Sequence, residues 1–386
     1  MSTHPARRRQ LRTWSPAEQQ EHLQAVAAGS EHGSVTGREL LDLASNDYLS
    51  LCRHPSLIAA AESQLRSSGV GSGGSRLVSG SRPVHGQLES ELACWLGRER
   101  VLLFPSGFQA NLAAVSALAN RHTTVVADRL IHHSLLVGVQ ASGARLRRFA
   151  HNDLESLERL LQRSRSERPQ KPLLVISESL FSMEGTSPPV HDLAALCEHH
   201  GARLLLDEAH ALGVLGDGGR GLGFGEEAVT LLSGTFGKAF GSGGAFLACD
   251  SELGEKLLQE SGAFRYTTAL APPLAAGALA ALELIRTNPN WGRQLVERSD
   301  NWRDRLAETG WARPTGRGPI LPLIVGDDQR CLNLQHQLEL AGLLTAAIRP
   351  PTVPEGSARL RLVLHRCLPD ETLESLLRAL SVARAA

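Results

Sequence analysis

Leu204-Leu-Leu-Asp-Glu-Ala-His210 gives the clearest indication of the architecture of this chain. Three consecutive leucines predict a strand that is buried on both faces, as strands of parallel sheets are. Asp207 ends this strand, at the position where open α/β sheets bind their ligands. Because burying an unpaired charge is costly, Asp207 needs a partner, and His210 could bind the same ligand. The structural alternative is that Asp207 caps a loop and that His210 only fills space.

The same pattern continues on both sides of this stretch. Short apolar runs predict six strands, at residues 101–104, 124–127, 173–177, 203–206, 230–233 and 244–248. Amphipathic helices are predicted between them, at residues 108–118, 154–162 and 190–199. Alternation of strands and helices over about 150 residues predicts a mostly parallel sheet with helices on both faces.

The two ends of the chain differ from its middle in their pattern of apolar and polar residues. After residue 290 we predict a smaller α/β lobe, with helices at 291–308, 329–341 and 371–384 and strands at 322–325, 344–348 and 360–364. In the polar first forty residues, Ser15 and Pro16 suit the start of a helix over 15–28. The predicted division is an N-terminal segment (1–40), a large domain (41–290) and a small C-terminal α/β domain (291–386).

Composition excludes several classes of protein. The 386 residues carry 40 Lys+Arg and 40 Asp+Glu, so there is no excess positive charge to bind nucleic acid. No apolar run reaches the roughly 18 residues of a membrane helix, and no apolar segment follows the N-terminal arginines, as a secretory signal requires. The six scattered cysteines favour reduced thiols in a cytoplasmic protein, without disulfides or a metal site.

Two glycine-rich stretches match the pattern G-x-G-x-x-G: Gly69-Val-Gly-Ser-Gly-Gly74 and Gly216-Asp-Gly-Gly-Arg-Gly221. Neither is predicted to join a strand to a helix with an acidic residue about 20 positions further on, as a dinucleotide site requires. We interpret both as loops. The alternative is a nicotinamide-dependent dehydrogenase built on them.

Phe104-Pro-Ser-Gly-Phe-Gln-Ala-Asn111 predicts a strand end followed by a helix start. The free N–H groups at Gly107 and Phe108, together with the helix dipole, suit a phosphate group. An ordinary capped helix start is the alternative.

Ser233-Gly-Thr-Phe-Gly-Lys-Ala-Phe-Gly-Ser-Gly-Gly244 places Lys238 in an apolar, glycine-rich turn. Only three of the 40 basic residues are lysines, which leaves 37 arginines to supply surface charge. A lysine in this setting therefore indicates chemistry, because the neutral amine of a partly buried lysine can form a Schiff base with a carbonyl group. Thr235 is placed to reach a phosphate.

A phosphate-binding helix start, an aspartate at a strand end and a lysine one strand later are what pyridoxal 5′-phosphate requires. On these residues the chain resembles the α-oxoamine synthase family of fold-type I pyridoxal-phosphate enzymes, from about residue 41 to the C-terminus. Further motifs carry the resemblance: Ser45-Asn-Asp-Tyr-Leu49, Gly71-Ser-Gly-Gly-Ser75, Ala127-Asp-Arg-Leu130 with His132, Phe181-Ser-Met-Glu-Gly185 and Ala347-Ile-Arg-Pro-Pro-Thr-Val-Pro354. The resemblance implies a large domain with a mostly parallel seven-stranded sheet and a smaller C-terminal α/β domain.

The resemblance also implies roles for individual residues. Lys238 would hold the cofactor and act in catalysis, and Asp207 would pair with the pyridinium nitrogen of the cofactor. His132, chosen over His133 by the motif, would stack on the cofactor ring, meet the substrate and assist catalysis. The other implied cofactor contacts are Gly107, Phe108, Thr235, Ser182 and His210. Substrate contacts are implied for Thr352, Arg361 and Asn46, with Arg361 at the amino-acid carboxylate. Purely structural roles for Asn46 and Arg361 are the alternative, and Arg12 is a candidate for a further substrate-binding arginine.

Within the family, the chain most resembles the synthases of biotin biosynthesis. That resemblance implies a decarboxylative condensation of L-alanine with a pimeloyl thioester, carried on coenzyme A or a carrier protein. It also implies a cytoplasmic homodimer in which Tyr266-Thr-Thr268 approaches the neighbouring active site. A glycine C-acetyltransferase and a non-catalytic scaffold subunit are the alternatives, although a scaffold would be expected to have lost Lys238.

Overall fold

A computed structural model describes residues 5–19, 21–26 and 37–385. Its strands are β1 (Thr13–Pro16), β2 (His22–Val26), β3 (Glu39–Asp42), β4 (Arg100–Phe104), β5 (Thr124–Asp128), β6 (Arg145–Phe149), β7 (Leu173–Glu178), β8 (Arg203–Asp207), β9 (Val229–Thr235), β10 (Ala245–Cys249), β11 (Ile320–Gly326), β12 (Leu343–Leu344), β13 (Ala346–Ile348) and β14 (Ala358–Val363). Its α-helices are α1 (Pro55–Ser68), α2 (Pro83–Leu96), α3 (Gly107–Leu118), α4 (His133–Ser142), α5 (Leu154–Glu167), α6 (Val190–His199), α7 (Ser251–Glu260), α8 (Gly262–Arg265), α9 (Pro272–Thr287), α10 (Trp291–Glu308), α11 (Asp328–Leu340) and α12 (Thr372–Ala385).

The chain forms two compact units. The large unit comprises residues 51–182 and 186–293 and contains a seven-stranded sheet. The small unit comprises residues 1–50, 183–185 and 294–386 and contains a four-stranded and a three-stranded sheet. The domain boundaries at residues 40 and 290 stay a prediction.

The sheet of the large unit has the strand order β4-β10-β9-β8-β7-β5-β6. Strands β5 to β9 pair in parallel, and β10 is antiparallel to both β4 and β9. This topology confirms the predicted mostly parallel seven-stranded sheet, and each of the six predicted strands overlaps an observed one. The sequence pattern missed β6 because its three arginines, at positions 145, 147 and 148, hide the apolar run that marks the other strands.

The interior strands are covered by helices. Every residue of β5, β7 and β10 is buried, as expected where helices lie on both faces of a sheet. Helix α3 presents small side chains to the core, and Ala110, Ala113 and Ala114 are fully buried. Small residues let this helix pack closely on the sheet, which fixes the position of its N-terminus at one edge.

The N-terminal part of the small unit differs from expectation. Instead of the helix predicted over residues 15–28, β1 and β2 form an antiparallel hairpin, and β2 also pairs with β3. The prediction is wrong for the described residues because the free edge of β3 offers ladder hydrogen bonds, which outweigh a weak local helix signal. Residues 20, 27 and 28 of that prediction lie outside the described part of the chain.

The strand predicted at residues 344–348 is divided in two. Strand β12 pairs with β3 in one sheet, whereas β13 pairs with β14 in the other, and the buried residue Thr345 separates them. A continuous apolar run does not reveal that neighbouring residues pair with different sheets.

The two glycine-rich stretches are loops, as predicted. Gly69–Gly74 follows helix α1, and Gly216–Gly221 lies in the connection between β8 and β9, which includes a short 3₁₀ turn. Neither stretch joins a strand to a helix in the way that a dinucleotide site requires. Among the helices that the structure describes, none combines the length and apolarity needed to cross a membrane.

Candidate active site

A cavity of about 190 Å³ opens at the carboxyl edge of the large sheet. Strands β7, β8 and β9 end there at Glu178, Asp207 and Thr235, because parallel strands end on the same edge. Thirteen residues of the large unit line the cavity: Gly107, Phe108, Asn111, His132, Ser134, Glu178, Asp207, Ala209, His210, Ser233, Gly234, Thr235 and Lys238. Seven of the predicted cofactor or catalytic residues are therefore brought together.

Asp207 is held at both carboxylate oxygens. Asn111 Nδ2 donates to its Oδ2 at 2.8 Å, and the Ala209 N–H donates to its Oδ1 at 2.9 Å. Strand pairing sets Asp207 beside Glu178 on one side and Ser233 on the other. Since Asp207 is only 5% exposed, its carboxylate is a fixed negative group that can face a cationic ligand.

The start of helix α3 forms a site for an anion. Ser106 caps the helix by accepting the Gln109 N–H at 3.3 Å, and the first intrahelical bond runs from the Ala110 N–H to the Ser106 carbonyl oxygen at 3.0 Å. The N–H groups of Gly107 and Phe108 precede that bond, so helix geometry leaves them without an intrahelical acceptor. A Cβ built at Gly107 would lie 3.8 Å from Thr235 Oγ1, so the Thr235 hydroxyl lies close to Gly107.

Lys238 is presented by a rigid turn after β9. Lys238 is half-buried, and Phe236 and Phe240, which flank it in the sequence, are fully buried. The Gly241 N–H donates to the Lys238 carbonyl oxygen at 2.8 Å, and Gly241 has a φ of +60°. A Cβ at Gly241 would lie 2.3 Å from the Cys52 backbone nitrogen, so this turn requires glycine.

His132 precedes helix α4 and caps it. The His132 N–H donates to Glu178 Oε1, and His132 Nδ1 lies 2.7 Å from Ser134 Oγ. His132 lines the cavity, and its burial among protein atoms lowers the pKa of its ring. The carboxylate of Asp207 opposes this shift, and the charge of Lys238 adds to it. Of the two adjacent histidines, the structure brings His132, and not His133, to the cavity.

Two buried acidic residues were not predicted. Burial and the nearby Asp207 carboxylate raise the pKa of Glu178 well above its usual value. Burial likewise raises the pKa of Glu208 to about 7, although its carboxylate accepts the Gly223 N–H at 2.6 Å. The position of Glu178 directly after an apolar run was the one available signal, because Asp207 follows its own strand in the same way.

Glu208 gives the protein a pH-dependent stability. A carboxyl whose pKa is raised in the folded state binds its proton more tightly there, so stability falls as the pH rises from about 4.5 to about 7 and stays lower above that. We expect Glu208→Gln to remove this loss, which would appear as a Tm difference between pH 5 and pH 8 smaller by about 2–5 °C than in the parent. The measurement is thermal unfolding at both pH values, with the exposed Glu227→Gln as control. Equal pH dependence in parent and variant would contradict the prediction.

The remaining predicted residues are placed as follows. His210 is buried and lines the cavity, whereas Ser182, four residues after the end of β7, is outside the set that lines it. In the small unit, Arg361 Nη2 donates to Asn46 Oδ1 at 2.9 Å. Thr352 is exposed, and its hydroxyl accepts a hydrogen bond from Arg9 Nη2 at 2.9 Å.

Two contacts in the small unit were not predicted from the sequence. Tyr48 is fully buried beside Arg361, and burial raises the pKa of Tyr48 to about 12 while the arginine opposes the shift. Arg12, the candidate N-terminal arginine, forms a two-bonded ion pair with the buried carboxylate of Glu339, at 2.6 and 3.0 Å. That pair occupies the Arg12 guanidinium, while Arg9 is the N-terminal arginine that contacts Thr352.

The cavity of the large unit fits pyridoxal 5′-phosphate. The start of α3 supplies N–H groups for a phosphate, Asp207 supplies a fixed carboxylate for a protonated ring nitrogen, and Lys238 supplies an amine. A phosphate, a pyridinium and an aldehyde are three of the functional groups that this cofactor offers to a protein.

Comparison with known proteins agrees with this chemistry. The family model described as aminotransferase class I and II matches residues 38–380. The 8-amino-7-oxononanoate synthase of Chromohalobacter salexigens is 43% identical over 347 residues, which is 89% of each chain. A solved structure of SPT with PLP has a TM-score of 0.90 at 25% identity, covering 97% of this chain and 92% of the other. The structure of 8-amino-7-oxononanoate synthase from Francisella tularensis has a TM-score of 0.76 at 27% identity, covering 90% and 97%.

Proposed function

The chain belongs to the aminotransferase class I and II family, and from that premise we propose that it condenses L-alanine with a pimeloyl thioester to give 8-amino-7-oxononanoate, carbon dioxide and the free thiol. It is a fold-type I, pyridoxal-phosphate-dependent acyltransferase of the 8-amino-7-oxononanoate synthase type, in accord with its 43% identical relative. The observation that carries the proposal is the convergence of Lys238, Asp207 and His132 on one cavity. Biotin biosynthesis is the pathway in which this reaction belongs.

The residues that would hold the cofactor all lie in the large unit. Gly107 and Phe108 would bind the phosphate through their N–H groups, with the Thr235 hydroxyl close to Gly107. Asp207 would face the ring nitrogen, and Lys238 would bind the aldehyde carbon through Nζ in the absence of substrate. His210 and Ser182 are proposed to hydrogen-bond the ring oxygen. When bound, the cofactor draws electrons from the amino-acid Cα through its protonated ring.

Lys238 and His132 are proposed to handle the protons. Once the amine of alanine has displaced Lys238 Nζ from the aldehyde carbon, the freed Lys238 amine would remove the Cα proton of alanine and later return a proton to the same carbon, which general-base catalysis by a correctly placed amine permits. His132 lies beside the cavity with a lowered pKa, so its ring is neutral near pH 7. A neutral ring can donate a hydrogen bond to the oxygen of the thioester carbonyl as negative charge develops there.

Three residues of the small unit, Asn46, Thr352 and Arg361, are proposed to bind substrate or to hold a group that binds it. Arg361 would bind the alanine carboxylate with two parallel hydrogen bonds, the geometry that favours arginine over lysine. Arg361 Nη2 also donates to Asn46 Oδ1, which helps to hold the guanidinium in place. Thr352, with its exposed hydroxyl, would contact the acyl substrate.

A cytoplasmic homodimer is part of the proposal. Tyr266 is 80% exposed, which is unusual for a large aromatic side chain and suits a surface covered by a second copy. In that arrangement Tyr266, Thr267 and Thr268 approach the cofactor of the neighbouring subunit. Light scattering of the purified protein would measure its mass.

Thiol release tests the proposed substrates. The purified protein, supplied with pyridoxal phosphate, is given each pairing of alanine or glycine with pimeloyl-CoA or acetyl-CoA. We expect release above background only with alanine and pimeloyl-CoA, and 8-amino-7-oxononanoate as the product by mass spectrometry. Preference for glycine and acetyl-CoA would replace the proposal with a glycine C-acetyltransferase. A pimeloyl carrier protein is tested as a second donor in the same assay.

A further inference from the structure

Asn111 is a buried residue of the cavity to which the reaction above gives no role. Its side chain is 3% exposed, and all of its polar atoms are paired within the large unit. Asn111 Oδ1 accepts from Ser233 Oγ at 2.6 Å, and Asn111 Nδ2 donates both to Asp207 Oδ2 at 2.8 Å and to Ser134 Oγ at 3.0 Å. One amide therefore bridges the end of β8 and the start of α4.

The direction of this amide is fixed by its partners. The Asp207 carboxylate can only accept hydrogen bonds, so the nitrogen of Asn111 must face it and the oxygen must face Ser233. The reversed amide would set an oxygen against a carboxylate oxygen. Because a buried amide with both ends satisfied is costly to disturb, Asn111 is held in one orientation.

The same amide sets the direction of the next hydrogen bond. Ser134 Oγ accepts from Asn111 Nδ2, so its own proton is free to point at His132 Nδ1, 2.7 Å away. The Ser134 N–H also donates to His132 Nδ1, at 3.3 Å. With two donors aimed at it, Nδ1 must be the unprotonated nitrogen, and the ring proton resides on Nε2.

We propose that Asn111 is a positioning residue that orients the Asp207 carboxylate directly and, through Ser134, holds His132 as the neutral tautomer protonated at Nε2. The inference rests on the proposed function for its consequence in catalysis. In that reaction, Nε2–H is the donor that His132 offers to the thioester oxygen, and the other tautomer would offer a lone pair that repels it. Asn111 thus couples Asp207, which would face the ring nitrogen of the cofactor, to His132, which would assist reaction at the acyl group.

Imidazole NMR on the full-length chain labelled with ¹⁵N-histidine tests the proposal, with and without pyridoxal phosphate. The His132 signals are assigned by their loss in His132→Gln, and the two tautomers are distinguished by their nitrogen shifts at pH 8. We expect the Nε2–H form to dominate in the parent. Asn111→Ala and Ser134→Ala should each lower the ratio of the two tautomers by about fivefold or more, as expected from losing one hydrogen bond of the chain.

A double-variant cycle tests the relay, by which we mean the hydrogen bonds that run from Asn111 through Ser134 to His132. It separates an effect passed along the relay from a general disturbance of the protein's structure. Asn111→Ala should change the tautomer ratio less than twofold when Ser134 is already alanine, because the route to His132 is then cut. Ser116→Ala, on the exposed side of α3, is the matched control and should leave the ratio unchanged. Should Asn111→Ala not fold, Ser134→Ala alone decides the case, since it removes one hydroxyl and no bulk.

The outcomes for the two proposals are distinct. An unchanged tautomer ratio in Ser134→Ala would overturn the relay, whatever the protein's activity. If the ratio shifts as expected but no thiol is released from alanine and pimeloyl-CoA, the relay stands and the proposed reaction fails. In the enzyme, kcat should fall about tenfold in Asn111→Ala while KM for alanine changes less than twofold, because the relay acts on the transition-state oxyanion.

Discussion

Lys238→Ala is expected to lower thiol release by about 10⁴-fold or more, because it removes both the covalent hold on the cofactor and the base that acts at Cα. The fold should survive. Lys238 lies in a turn whose backbone is fixed by the Gly241 N–H and by the tight space at Gly241, and these contacts do not involve the lysine side chain. A melting temperature close to that of the parent would show that the loss is chemical.

The chain supplies its own control for this variant. Of the three lysines, Lys171 is exposed and is not among the residues that line the cavity, so Lys171→Ala should keep full activity. Borohydride reduction followed by digestion should attach the cofactor to the Lys238 peptide in the parent and to no lysine peptide in Lys238→Ala. Full turnover by Lys238→Ala would refute the assignment of the catalytic amine.

Asp207→Asn is the second change for which we expect a large effect, a loss of kcat of about 10²- to 10³-fold, the scale of removing one partner from a buried ion pair. The variant is nearly the same size but removes the negative charge that keeps the ring nitrogen protonated. It also disturbs the hydrogen bonds, because both Asp207 oxygens accept from N–H groups, of Asn111 and Ala209. An amide at position 207 must turn its own NH2 group toward one of these donors.

Asp192→Asn is the matched control, since Asp192 is exposed in the first turn of α6. The cofactor spectrum and the dissociation constant for pyridoxal phosphate are measured alongside kcat. We expect weaker cofactor binding and a lower kcat in Asp207→Asn, and neither in Asp192→Asn. Turnover within a factor of two of the parent would contradict a role for Asp207 at the ring nitrogen.

Local patterns in the sequence predicted most of the large unit. Buried strands of a parallel sheet are continuous apolar runs, so the runs that end at Phe104 and Asp207 located their strands and the ligand-binding edge. The capped start of α3, and Lys238 in its apolar, glycine-rich turn, could also be recognised from the sequence. Each of these features depends on a few adjacent residues. The pattern failed at β6, where arginines interrupt the run, and at β1 and β2, which form only because β3 provides an edge to pair with.

The sequence by itself determined the type of fold, the edge of the sheet that binds ligand, and the aspartate, lysine and helix start that a pyridoxal-phosphate site needs. Only the tertiary structure decided how these groups are held. Asn111 contacts Asp207 across 96 positions of the chain and Ser233 across 122, and Asn46 meets Arg361 across 315. Such contacts leave no periodic signal, because a hydrogen bond between distant residues depends on where strands and helices are placed and not on the residues beside each partner.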